Sequence, residues 1–164
     1  MLRAYKTKEL RGVVLVIKYQ QEFVAQVEDE IEALLLEDWE EIEHNKDLNK
    51  LSPDWEMYSK LEELGILYIF TCRDGEVLVG YFVVIVSPSL HSKGNLVVSA
   101  DVIFLSKPYR KGLTGYKLFV FSQDCLKADG HKTLQVTTTE RNPIDKFMLR
   151  LGYSKTETKF EKVL

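Results

Sequence analysis

The chain has 164 residues, 45% of them apolar and 29% charged, with a formal net charge of −3. That length supports one hydrophobic core and predicts a single domain over residues 1–164. No run approaches the roughly 20 apolar residues of a membrane span, and the acidic balance argues against unaided binding of a nucleic-acid duplex.

The opening MLRAYKTKELRG carries charges, and no signal-type segment with a small-residue cleavage site follows it, so a cytoplasmic protein is expected. Cys72 and Cys125 lie far apart, with no CxxC pair and no Cys/His cluster. They predict two reduced, buried thiols and no metal site.

Helices and strands alternate along the chain. Val13–Lys18 is apolar and β-branched and predicts a first strand. From Gln21 to Glu43, Val24, Val27, Ile31, Leu34, Leu35 and Ile42 recur at helical spacing and predict an amphipathic helix. Ser52-Pro53 predicts the start of a second helix, carrying Trp55, Tyr58 and Leu61 and stopped by Gly65. Ile66–Arg73 and Glu76–Val86 read as a hairpin around Asp74-Gly75. Pro88–Gly94 is a loop, and Leu96–Leu105 is a long strand. A helix is expected over Leu113–Ala128, ending at Gly130, and a strand over Thr133–Thr139. Asn142-Pro143-Ile144-Asp145 opens a helix with Ile144, Phe147, Met148 and Leu151 inward and Gly152 at its end. Lys155–Val163 alternates enough to predict a last strand.

The most informative stretch is Asp101–Leu126, DVIFLSKPYRKGLTGYKLFVFSQDCL. A strand enters the basic, glycine-containing loop Arg110-Lys111-Gly112-Leu113-Thr114-Gly115, and a helix follows at once. Such a unit offers free backbone N–H groups and a positive helix end to a phosphate. It is neither a Walker loop, which needs Lys-Ser/Thr after the last glycine, nor a dinucleotide loop with three spaced glycines. It resembles the acetyl-CoA loop of the GCN5-related N-acetyltransferases, Gln/Arg-x-x-Gly-x-Gly/Ala. Arg110 stands at the first position and Gly115 at the last, while Leu113 takes the middle glycine's place and Gly112 lies one earlier.

The order of elements resembles that family from end to end, and Asn142–Tyr153, NPIDKFMLRLGY, looks like its closing helix and Leu-Gly-aromatic turn. Trp39-Glu40-Glu41, Asn45-Lys46-Asp47, Ser52-Pro53-Asp54-Trp55 and Asp101–Leu105 resemble a phage-encoded group within it. The resemblance implies an α/β (α+β) fold with a mixed, mostly antiparallel sheet flanked by helices. It also implies acetyl-CoA as cofactor and a primary amine as acceptor. Backbone groups of Ile103, Phe104 and Leu105 would face the pantetheine arm, with Thr137–Thr139 near its other side. Lys111, Gly112, Leu113, Thr114, Gly115 and Tyr116 would hold the pyrophosphate, with charge from Arg110 and Lys111. Asn142 would reach the arm or simply cap its helix.

Direct attack by an amine on a thioester needs a base, a donor to the carbonyl oxygen and a proton for the leaving thiolate. Asp101 is the candidate base: a carboxylate inside an apolar strand, where lost hydration favours taking up a proton, at the place resembling the family's fourth-strand acid. The alternative is an acid on a wet face. The family's general acid, a tyrosine four residues before the closing glycine, is Met148 in this chain; Tyr153, Tyr116 and a water are the available substitutes. His91, in Ser89-Leu90-His91-Ser92, is an accessory base, a substrate contact or a surface residue. His44 and His131 read as surface residues. Glu22–Asp47 holds eleven acidic residues and one basic residue, Lys46. These acids are either a solvated helix face or a wall that attracts a cationic acceptor, with Trp39, Glu40 and Glu41 as the contacts.

Three readings follow: an N-acyltransferase acting on a small amine or a protein, with a homodimer compatible; a binding or virion-associated protein that keeps the fold without the reaction; and a nucleobase-modifying enzyme.

Overall fold

The computed structural model describes residues 3–4, 16–43, 45–141 and 143–163. Strands β1 (Arg3–Ala4) and β2 (Ile17–Glu22) are followed by helices α1 (Val24–Ile42) and α2 (Trp55–Glu63). Then come β3 (Leu67–Asp74), β4 (Val77–Pro88), β5 (Leu96–Leu105), α3 (Thr114–Ala128), β6 (Leu134–Gln135) and α4 (Asp145–Arg150). The six strands form one sheet in chain order, β1 to β6. Every pairing is antiparallel except β5 with β6, which is parallel and joined through α3. This is the mixed, mostly antiparallel sheet the resemblance implied.

Strand alternation sends side chains to two faces. On one, Ile17, Tyr19, Phe70, Phe82 and Val84 pack with Leu118, Phe119 and Leu126 of α3 and Met148 of α4. On the other, Ile69, Tyr81, Val83 and Phe104 pack with Val24, Val27 and Ile31 of α1, and with Trp55, Tyr58 and Leu61 of α2. The helices therefore cover opposite faces, and the end of β5 lies between them.

Several boundaries differ from the sequence reading. The first strand runs on to Glu22, so α1 starts at Val24; the part of the predicted strand before Val16 lies outside the described residues. α2 is capped by Asp54, whose carboxylate accepts from Met57 N at 2.9 Å, rather than by Ser52. The nearer acid wins because a cap must sit immediately before the first helical residue. The hairpin turn is Gly75-Glu76, because Asp74 pairs with Val77; Gly75 takes the left-handed conformation, φ 62°. α4 starts at Asp145, beyond Pro143, and Asn142 lies outside the described residues, as does His44.

β6 is confined to Leu134–Gln135, although a strand was expected over Thr133–Thr139. The cause lies on β5. Val83 pairs with Val102 and Val84 with Ala100, so Asp101 is the extra residue of a β-bulge. The last residue of β5 paired to β6 is Ser99. A bulge bends its strand and strengthens its twist, and β5 leaves β6 at that point. Lys155–Val163 forms no strand. Phe160 and Val163 are its apolar residues, both exposed, which is too little burial to offset the entropy of ordering the segment.

Cys72 is buried and Cys125 only half-buried; both are free thiols. No described helix is long and apolar enough to cross a membrane. Among the described residues, no group of three or more His, Cys, Asp or Glu side chains is placed to share a metal ion.

Candidate active site

Beyond Ser99, residues 100–105 of β5 pair with β4 on one side and with no described strand on the other. Such an edge offers unpaired backbone N–H and C=O groups to an extended ligand. Ile103 and Leu105 point to the α3 face and Phe104 to the α1 face.

The edge leads through a short 3-10 turn, Lys107–Tyr109, to the start of α3. Leu113 precedes the first helical residue and gives no side-chain cap. The first backbone N–H satisfied within the helix is that of Lys117, bonded to Leu113 O at 2.9 Å. The N–H groups of Thr114, Gly115 and Tyr116 therefore have no helical partner. A Cβ on Gly115 would meet only the Leu105 Cδ2 atom, at 3.4 Å. Gly112, at φ 99°, gives the loop a turn that side-chain-bearing residues resist. Lys111 is exposed and takes part in no ion pair among the described residues. Thr114 is buried, its carbonyl accepting from Tyr19 Oη at 3.3 Å, and Tyr116 is exposed. Uncapped helix, permissive glycines and a free cation make a cradle that fits a diphosphate.

Arg110 points elsewhere. Its guanidinium bonds both oxygens of Glu41 in α1, at 2.8 and 3.1 Å, and its Nε donates to Leu105 O at 2.6 Å. It also lies over the Phe104 ring, 5.5 Å from the centroid. Lys107 adds a 3.1 Å contact to Glu41. The Arg110 hydrogen bonds hold the Glu41 carboxyl below the usual carboxylate range, Lys107 helping and partial burial opposing. Glu41 is therefore a strap between α1 and the loop, not a free acid.

Across the sheet, the bulge puts Asp101 on the face covered by α2, where it accepts from Tyr58 Oη at 2.9 Å. The dry setting expected for Asp101 is absent: the residue is exposed. At the bulge Asp101 and Val102 both turn toward the α1 and α2 side, Val102 packed in the cluster there and Asp101 exposed. Tyr81 of β4, opposite Phe104 on the α1 face, is wholly buried, and its hydroxyl has no hydrogen-bond partner. Asp38 of α1 is 7% exposed, and no described hydrogen bond reaches its carboxylate. Burial pushes the Asp38 carboxyl up to about 7, the Glu41 charge adding to the rise and Arg110 opposing it. Burial likewise raises the Tyr81 phenol, with further contributions from Asp38, Tyr58 and Asp101.

Asp38, Tyr58 and Tyr81 were not among the sequence candidates. Asp38 was detectable there: it follows Ile31 by seven residues and precedes Ile42 by four, an acid on the apolar stripe of α1. Tyr58 and Tyr81 carry no local signal that sets them apart, and only the tertiary arrangement distinguishes them.

The remaining candidates are scattered. Trp39 and Glu40 belong to a local knot with Lys46, which pairs with Glu40 and lies 4.8 Å from the Trp39 ring centroid; Trp39 Nε1 donates to Asn49 O at 2.9 Å. His91 is exposed in the loop between β4 and β5. That loop precedes Leu96, so about 17 Å of strand separates it from Asp101. His131 packs edge-on against Tyr68, at the end of α3 away from the loop. Met148 is 6% exposed, in the core beneath α3. The Tyr153 hydroxyl accepts from Gln123 Nε2 at 2.9 Å, and burial raises its phenol.

No protein-family profile matches the chain, and no curated protein matches it in sequence. Solved structures match it in fold. An aminoglycoside acetyltransferase, HMB0005, from an uncultured soil metagenomic sample superposes with a TM-score of 0.72 at 14% identity, covering 92% of this chain and 99% of that one. Aminoglycoside N-acetyltransferase AAC(6')-Iy, solved in complex with CoA, gives 0.69 at 17% identity, covering 94% and 99%. A ribosomal-protein-alanine N-acetyltransferase from Brucella melitensis biovar Abortus 2308 gives 0.63 at 15% identity, covering 91% and 98%. The chain thus has, over nearly its whole length, the fold these N-acetyltransferases share.

Proposed function

We propose that this chain is an acetyl-CoA-dependent N-acyltransferase that acts on a primary amine of a small molecule or protein. The observation that carries the reading is the open edge of β5 ending at the uncapped start of α3. The edge matches an extended amide-bearing arm, and the helix start matches the diphosphate at its end. Backbone N–H groups of residues 112–116 and the Lys111 ammonium bind the phosphates. Backbone groups of Ile103–Leu105 orient the arm, and Tyr116 flanks it. Acetyl-CoA supplies a thioester open to attack by an amine. Asp101, on its bulge and bonded to Tyr58, accepts the proton that the attacking amine sheds, directly or through one water. Acids of α1 draw in a cationic acceptor. The likeness of residues 39–55 and 101–105 to a phage-encoded group rests on the sequence alone.

Met148 favours a second reading, a CoA-binding protein without turnover, because a buried thioether provides no proton to a leaving thiolate.

Calorimetric titration with acetyl-CoA, CoA, desulfo-CoA and ATP tests the first step, and thiol release over a panel of amines tests the second. Binding of the CoA compounds but not ATP, with amine-dependent thiol release, is expected. No CoA binding would overturn both readings; binding without release from any amine would leave the second.

A further inference from the structure

Leu105 ends the free edge of β5, and its parts serve different neighbours. Ser106 N donates to Val79 O at 2.9 Å. By the alternation of an antiparallel pair, the N–H and C=O of Leu105, which stands opposite Gly80, therefore turn away from β4 to the free edge. The carbonyl there takes the Arg110 Nε donor. The Leu105 side chain lies on the α3 face, in one row across the sheet with Gly80 and Cys72. A Cβ on Gly80 would stand 2.7 Å from Leu105 Cδ1, 2.8 Å from Phe104 O and 2.9 Å from Cys72 Sγ, closer than a real Cβ comes to its neighbours. Leu105 thus leans into the space that Gly80 leaves. Its other methyl faces α3, where a Cβ on Gly115 would lie 3.4 Å from Cδ2, at ordinary contact. Two glycines bracket one leucine, and the leucine fills the space between β5 and the first turn of α3. Tyr19 of β2 holds the same turn from farther along the sheet, through the Thr114 carbonyl.

We propose that Leu105 is a positioning residue whose side chain sets the distance between the free edge of β5 and the start of α3, and with it the length of arm the site accepts between a diphosphate and a thioester. The inference rests on the acyltransferase reading and deepens it, by naming the feature of the cofactor that the site measures. A ligand held at two places gains from the second only when its linker matches the span between them. Its two halves, offered separately, are indifferent to that span. Leu105 therefore acts on intact CoA and leaves the halves alone. Gly80 belongs to the same device: with a side chain there, Leu105 would be pushed off β4 toward Gly115, and the helix start would ride higher above the edge.

The test compares wild type, Leu105→Ala and Leu105→Met. CoA is titrated by calorimetry. Pantetheine, which has the arm without phosphates, and 3′-phospho-ADP, which has the diphosphate without the arm, are followed at millimolar concentration by backbone amide NMR. Leu105→Ala should weaken CoA about tenfold, the scale of a mismatched linker or a small misplacement. Leu105→Met, which keeps the reach of the side chain, should recover most of that loss. Both halves should shift the amides of all three proteins alike, pantetheine at Ile103 and Leu105 and 3′-phospho-ADP at Thr114–Tyr116. Leu105→Val takes the place of the alanine variant if thermal melting shows that the latter does not fold. Undiminished CoA affinity in the truncated variant overturns the proposal, and so does a half that weakens as much as CoA, because Leu105 would then shape one subsite rather than the span. Halves that leave the wild-type amides unmoved beside a binding CoA overturn it too, since there would be no two subsites to space. A wild type that binds no CoA sinks the acyltransferase reading itself, an outcome distinct from all of these.

Discussion

Glu41 and Arg110 bridge α1 and the loop after β5 through two parallel hydrogen bonds, 2.8 and 3.1 Å long. The cation expected to meet a phosphate is thus held by an acid on the opposite wall of the site. A ligand that recruits Arg110 must first compete with Glu41.

Glu41→Gln should therefore tighten CoA binding about three- to tenfold, the scale of a partly exposed ion pair. The gain should vanish at low pH. Glu41 is held below its ordinary value, so the strap persists above the usual carboxylate range and is lost as pH falls through that lowered value. Wild type and variant should converge there when CoA affinity is followed against pH by calorimetry. Equal affinity at neutral pH would show that Arg110 takes no part.

Gly115→Val should leave thermal stability within a few degrees of wild type, because the added Cβ meets only the flexible end of Leu105. The same substitution should cost at least tenfold in CoA affinity, because it places methyl groups where backbone must approach a phosphate. Unchanged affinity would move the phosphate site elsewhere.

Asp101→Asn should keep CoA affinity and lower turnover about 10²- to 10⁴-fold, the usual worth of a positioned base. Tyr58→Phe, which removes only the hydrogen bond to that carboxylate, should have a much smaller effect. Rates equal to wild type across pH would remove Asp101 from the reaction.

Arg73 binds Glu22 through Nε and Nη2, at 3.0 and 3.1 Å, and Glu30 through both terminal nitrogens, at 3.0 and 2.7 Å. This joins β2, β3 and α1. Arg73→Met should destabilise the protein by about 3–5 kcal/mol in urea unfolding, since it leaves Glu22 buried and uncompensated. Burial pulls the Glu22 carboxyl up, but Arg73, Gln20 and Thr71 outweigh it and hold it low; Glu30 is held low chiefly by Arg73. Their stabilisation is present above the ordinary glutamate value and lost as pH falls through the lowered one. The deficit of the variant should shrink as the solution is acidified through that range.

The sheet, the helix faces and the glycine loop before α3 were legible because each is written locally. β5 was read residue for residue, and α3 within one residue, because an uninterrupted apolar strand, a glycine loop and a helical stripe leave little choice. The bulge at Asp101 was not legible: it is a mismatch between two strands, and neither strand's own pattern contains it. The same bulge misled the reading of Asp101 as a dry acid, and it shortened β6. The tail failed for the opposite reason: Lys155–Val163 alternates like a strand, but it has no apolar face to bury against an edge. Arg110 was placed on the phosphate by motif, whereas only the approach of α1 reveals Glu41 as its partner.

The parting of β5 from β6 has a consequence for how copies of the chain meet one another. Residues 100–105 of β5, apolar but for Asp101, pair with no described strand on one side, and such an edge is a template for another extended chain, including a second copy of themselves. Filling that edge removes the template. Concentrated protein should therefore associate edge to edge, and a ligand that occupies the edge, as proposed for CoA, should disperse it.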